Sequence, residues 1–171
     1  MVMKYTDNGA AIERAYRGFA WWAARRAWEI AGCRPCEQLV LAVEAYLRGE
    51  TDFSSVRAAR QKFSGGVAGA GMIGMPRAIP SAAAQLAAWH SADDSAEVAA
   101  RAVIRYTASV AGFHALQQAK DSGALGPGES ASSWRNDNLR RRMPDIESDA
   151  QFQERTFLET ELQRWLSEAK N

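Results

Sequence analysis

The stretch Arg34-Pro35-Cys36-Glu37-Gln38-Leu39-Val40-Leu41-Ala42-Val43-Glu44-Ala45-Tyr46-Leu47-Arg48-Gly49 decides the fold class. Cys36, Leu39, Val40, Val43, Tyr46 and Leu47 recur at steps of three and four, the spacing that gathers apolar groups on one side of an α-helix. Pro35 stands where a first-turn proline is tolerated, because the N–H it lacks would be unpaired there anyway. Gly49 is a natural stop, since it enters the left-handed conformation without a steric penalty. No strand is expected from such a segment.

The same reading holds outward from it. On the N-terminal side, Asp7 or Asn8 can cap a helix reaching Ala31 and ending at Gly32. Ile12, Tyr16, Phe19, Ala20, Ala23, Ala27 and Ile30 form its stripe. Trp21, Trp22 and Trp28 widen that stripe, so the helix is predicted to be covered on more than one side. On the C-terminal side, a short helix begins near Asp52 or Ser54 and carries Val56, Ala59 and Phe63. Ser81 caps an alanine run to Trp89, and Asp93, Asp94 or Ser95 caps a helix over about 96–120. Its spacing is set by Ala99, Val103, Tyr106, Val110 and Phe113 or His114. Pro144 is expected to separate a short helix at 134–142 from a last amphipathic helix over about 149–170, with Leu158, Leu162, Trp165 and Leu166 on its apolar side. Two segments read as irregular: the Gly-rich 64–80, SGGVAGAGMIGMPRAIP, and the loop 122–133, SGALGPGESASS.

Composition supports the same answer. The chain holds 171 residues, with 33 alanines against 14 Val plus Ile. A chain so rich in the best helix former and so poor in β-branched residues is predicted to be all-α. The expectation is a single helical domain over 1–171, a bundle or short α-solenoid of six to eight helices with an Ala-rich core.

A net charge of +1 argues against a dedicated nucleic-acid binder. Its distribution says more. Arg135, Arg140, Arg141 and Arg142 cluster just before a stretch holding Asp145, Glu147, Asp149, Glu154, Glu159 and Glu161. Carboxylates in the first turns of a helix favour its dipole, and the same carboxylates can form a patch that meets a basic partner. The opening MVMKYTDNGA has no apolar core of the signal-peptide kind, and no stretch approaches the length of a membrane span, so a cytoplasmic protein is expected.

Catalytic and metal signals are thin. Cys33-Arg34-Pro35-Cys36 is a C-x-x-C whose first thiol a helix terminus could acidify, yet the βαβ setting of a thioredoxin-like motif is missing. Those two cysteines with His90 and His114 have the residue types of a Cys₂His₂ zinc site, but the histidines lack the close pairing of a finger. No G-x-S-x-G, phosphate-binding loop or H-E-x-x-H occurs. The reading is therefore a non-enzymatic protein with no metal and no cofactor. A small redox or metal protein built on Cys33 and Cys36 is the alternative that these residues leave open.

Three segments together resemble one family. Arg34-Pro35, Ala42-Val43-Glu44-Ala45 and Leu47-Arg48-Gly49-Glu50 are similar to its R-P … A-[IV]-E-A … R-G-E helix. Ala111-Gly112-Phe113-His114-Ala115, after Ala99-Ala100-Arg101-Ala102, is similar to its A-G-H-A helix. Trp134 to Asp145, WRNDNLRRRMPD, resembles its closing segment. The family is the Immunity protein 5 group, helical antitoxin partners encoded beside bacterial polymorphic toxins. The resemblance spans about residues 20–146 and implies a protein that neutralises a partner protein by binding it, without turnover. A phage-type inhibitor of a bacterial defence complex, in the manner of an anti-CRISPR protein, would share these features. The charge segregation puts the expected contact in the C-terminal third, with Glu147, Asp149 and Glu154 docking on a basic partner, Arg140, Arg141 and Arg142 orienting the complex or pairing within the protein, and Trp134 or Trp165 serving as a buried anchor. Neither nucleic acid nor membrane is an expected partner.

Overall fold

The fold was obtained as a computed structural model. It describes the backbone of residues 3–32, 34–72, 80–121 and 137–170, and the side chains of 8–32, 37–63, 83–119 and 145–170. Six α-helices follow one another, and no strand occurs among the described residues. They are α1 (Met3–Ala31), α2 (Arg34–Leu47), α3 (Phe53–Met72), α4 (Pro80–Ser91), α5 (Ala96–Asp121) and α6 (Asp137–Glu168). The protein is an all-α helical bundle.

Helix ends follow local chemistry. Gly32 and Gly49 close α1 and α2 with φ of 61° and 75°, values that a side chain makes costly. Asp52 opens α3 by accepting the Ser55 N–H at 3.1 Å, and Ser95 opens α5 by accepting the Val98 N–H at 3.4 Å. Pro80 itself takes the first position of α4, ahead of the Ser81 cap that was expected.

Two expected breaks do not occur. The backbone of α3 continues through Ser64–Met72, the first half of the segment read as irregular; residues 73–79 and the loop at 122–133 lie outside the described residues. More consequentially, α6 runs unbroken through Pro144. Pro144 cannot donate to the Arg140 carbonyl, a defect that costs a helix interior roughly 3 kcal/mol. Downstream packing outweighs it: Leu158 is fully buried, Leu162 nearly so, and Trp165 and Leu166 rest against the same core.

At the centre lies α1, touched by α2, α4, α5 and α6. Small side chains make this possible. Ala20, Ala23, Ala24 and Ala27 of α1 face Ala84, Ala87 and Ala88 of α4 and Ala99 and Ala100 of α5 within one buried cluster. Such faces let helix axes approach closely, so backbone polar groups of neighbouring helices come within reach. Thr107 of α5, fully buried, donates to the Ala23 carbonyl of α1 at 3.1 Å. Arg17 of α1, only 3% exposed, crosses to the end of α4 and donates to the Ser91 carbonyl at 3.3 Å, the Asp94 carbonyl at 3.0 Å and the Asp93 carbonyl. The side chains of Asp93 and Asp94 are gripped in turn by Arg60 and Arg57 of α3, at 3.0 and 2.8 Å. Phe53 has Arg17 over its ring at 4.7 Å and Arg57 at 5.4 Å. Desolvation lowers the Arg17 pKa, an effect opposed by nearby Tyr46, Glu13, Asp93 and Asp94.

Helix α6 docks antiparallel to α1, with Trp165 at Gly18 and Glu154 at Arg26. Glycine notches admit it. A Cβ on Gly18 would sit 2.6 Å from the Trp165 ring, and one on Gly112 of α5 would meet the Gln151 side chain at 2.5 Å and the Glu147 carbonyl at 3.0 Å. Gly9, in the same helix as Gly18, has nothing within 4 Å. Gly9→Ala is therefore expected to stabilise by up to about 1 kcal/mol through helix propensity alone. Gly18→Ala, an identical chemical change, is expected to destabilise by about 1–3 kcal/mol through overpacking. Urea unfolding of the two variants checks the sign of each.

Candidate partner-binding surface

The seam between α1 and α6 gathers aromatic and arginine side chains. Trp21 and Trp22 are adjacent in sequence and so lie about 100° apart around α1; both are partly buried and neither is enclosed. The Trp22 ring is 5.8 Å from Phe19 in the core and 6.0 Å from Phe157 of α6. Phe157 remains 42% exposed, unusual for so large an apolar group that already has an aromatic neighbour. One turn along α1, Arg26 lies over the Phe157 ring at 5.2 Å and holds Glu154 of α6 through two hydrogen bonds of 2.5 and 3.0 Å. That bond to Glu154 raises the Arg26 pKa and fixes its planar fork. Arg25 lies over Trp21 at 5.7 Å, bonds Glu29 at 2.9 Å and comes within 3.8 Å of Glu44. Between the two tryptophans and the two arginines is an open depression of about 270 Å³. Trp21 Nε1 is buried, with no hydrogen-bond partner among the described residues.

The carboxylates expected from sequence to form one docking face do not share one open side of α6. Glu147 and Glu154 are seven residues apart and fall on the packed stripe of α6, whereas Asp149, two residues from Glu147, points about 200° away from it. Glu147 is half-buried and accepts from Gln151 at 2.8 Å. Glu154 is engaged by Arg26, with its side chain 11% exposed. Asp149 is exposed and forms no ion pair among the described residues. Glu161 pairs with Arg164 at 2.6 Å, and Glu159 lines a separate groove between α5 and α6. Continuity through Pro144 also places all of these well inside the helix, away from the first turn where its dipole would favour them. Arg140, Arg141 and Arg142 belong to the second turn of α6, but their side chains lie outside the described residues, as do Trp134 and Cys33 and the side chain of Cys36.

The two histidines are far apart in role. His90 stacks on Tyr106 at 5.1 Å and meets Trp89 edge-on at 4.9 Å, and desolvation lowers its pKa. His114 is exposed and bonds Gln118 of its own helix at 2.9 Å. No three His, Cys, Asp or Glu converge as a metal cage among the described residues. The hydroxyls of Thr107, Ser109, Thr156 and Thr160 donate to backbone carbonyls. No described helix is long and apolar enough to cross a membrane. Compared with protein-family models, curated proteins and solved structures, the chain gives no match.

If Glu154 is a structural tie and Asp149 a free surface group, reversing each charge separates them. Glu154→Lys sets an ammonium against Arg26 in a partly buried seam and is expected to cost about 1–3 kcal/mol. Asp149→Lys is expected to stay within about 0.5 kcal/mol of the parent. Chemical denaturation of both variants reads the difference.

Proposed function

We propose that the protein acts by binding another protein one-to-one, without turnover, through the α1–α6 seam. The observation that carries this reading is the exposed Phe157 beside Trp22, with Arg26 over its ring and Arg25 across the depression between the tryptophans. Trp, Tyr and Arg dominate the energetic centres of protein–protein contacts, where a few well-packed anchors supply most of the affinity. Both arginines here are already held by carboxylates of their own chain, so little side-chain freedom is lost when a partner arrives. Their charges are balanced locally, which suits a contact whose centre is apolar and whose specificity lies in shape. A stable contact needs roughly 800 Å² from each partner, so the footprint is expected to extend from the seam along α6. The positive charge of Arg140, Arg141 and Arg142, on that same helix, then speeds encounter with the partner.

The resemblance to the Immunity protein 5 family gives this reading its biological form: a helical antitoxin that occupies a harmful protein and thereby silences it. This reading expects a toxin encoded beside it, and such a protein is the partner to test. Isothermal titration of that protein with this one is expected to saturate at one equivalent. Phe157→Asp is expected to weaken binding at least tenfold while leaving the helical circular-dichroism signal intact. Silencing at a strongly substoichiometric dose, or full affinity in Phe157→Asp, would overturn the proposal.

A further inference from the structure

On the other flank of α6, away from Phe157, an open groove of about 640 Å³ runs between α5 and α6. That is within the size of ordinary ligand clefts. Its floor is apolar, made by Tyr16 of α1, Ile104 of α5 and Leu162 and Leu166 of α6. Three guanidiniums stand over this floor. Arg101 and Arg105, one turn apart, come from α5, and Arg155 comes from α6. Arg101 is shared with Glu97 at 2.8 Å. Arg105 leans over its neighbour Tyr106 at 5.8 Å. Neither Arg105 nor Arg155 forms an ion pair among the described residues, and both are exposed.

The α6 wall offers acceptors as well. The Thr156 and Thr160 hydroxyls spend their protons on the Phe152 and Thr156 carbonyls, at 2.9 and 2.8 Å, which leaves their oxygens free to accept. Glu159 lies between them in sequence and lines the same wall. Phe152, 71% exposed, lies on the same stripe of α6 as Thr156, Glu159 and Gln163 by helical spacing. A ligand complementary to all of this needs carboxylates for the arginines, N–H donors for the oxygens and apolar side chains for the floor. A bare phosphate or a sugar–phosphate backbone supplies only the first kind of group and meets Glu159 unfavourably.

We propose that the α5–α6 groove is a second binding site, one that takes an acidic, amphipathic peptide segment of a partner protein. It uses none of the residues of the α1–α6 seam, so the two sites stand or fall separately. The probe is a short fluorescein-labelled peptide of Glu, Leu and Gln, patterned with one acidic and one apolar helical face and with Gln side chains supplying the N–H donors, titrated at low salt by fluorescence anisotropy. Saturable binding with a dissociation constant below about 100 µM is expected. The exposed double reversal Arg105→Glu/Arg155→Glu should weaken it at least tenfold and should instead accept the same peptide with Lys in place of Glu. Phe157→Asp should leave the peptide affinity unchanged, even if it abolishes capture at the seam. Absence of saturable binding, indifference to the double reversal, or tighter binding of a labelled oligonucleotide would each overturn the proposal.

Discussion

The guanidinium of Arg17 is the tie on which the arrangement of helices depends. It sits in a helix whose core face is rich in alanine and is almost wholly withdrawn from water. A buried cation is tolerable only when its N–H groups are satisfied, and removing the partners of such a group costs on the order of 3–5 kcal/mol. Its acceptors are the carbonyls of Ser91, Asp93 and Asp94, at and beyond the end of α4, where helix carbonyls lack intrahelical donors. One side chain thus caps α4, sets the register of α1 against the α4–α5 corner and leaves the Asp93 and Asp94 carboxylates free for Arg60 and Arg57. Through those pairs α3 joins the same corner.

With that corner fixed, α5 runs alongside α1 in the same direction, Thr107 reaching Ala23 some three turns beyond Ser95. The trough between them receives α6 at two places where a side chain is missing, Gly18 and Gly112. A helix seated this deeply buries one stripe and leaves two flanks. One flank brings Phe157 to Trp22; the other brings Arg155 opposite Arg101 and Arg105. Both surfaces discussed as binding sites are consequences of how α6 is seated, and neither depends on a loop.

Much of the fold is legible in the sequence. Helices whose core stripe is regular, such as 34–47 and 96–121, appear where the spacing puts them, and Gly32 and Gly49 stop helices because their positive φ suits no other residue so well. Misreadings arose where local propensity met long-range packing. Pro144 and the glycines after Phe63 are sound breakers in isolation, yet the helices continue through them. The continuation through Pro144 also bears on where the acidic side chains lie. Beginning the last helix at 149 placed its carboxylates near a helix start and on one open face, whereas beginning it at Asp137 puts Glu147 and Glu154 on the packed stripe. Trp22 reads as core by its position in the α1 stripe, and nothing local reveals that its outer edge stays uncovered beside Phe157. Arg17 does leave a signal: an arginine within a helix predicted to be covered on several sides must find buried acceptors.

Hydroxyl-radical footprinting of the protein alone and in complex with its partner tests the central claim most directly, because it reports the solvent access of individual aromatic side chains. The account predicts that Phe157 and Trp22 are oxidised in the free protein and strongly protected in the complex, while exposed Leu41 on α2 is oxidised equally in both. Equal oxidation of Phe157 and Trp22 in the two states, with protection confined to other helices, would contradict it.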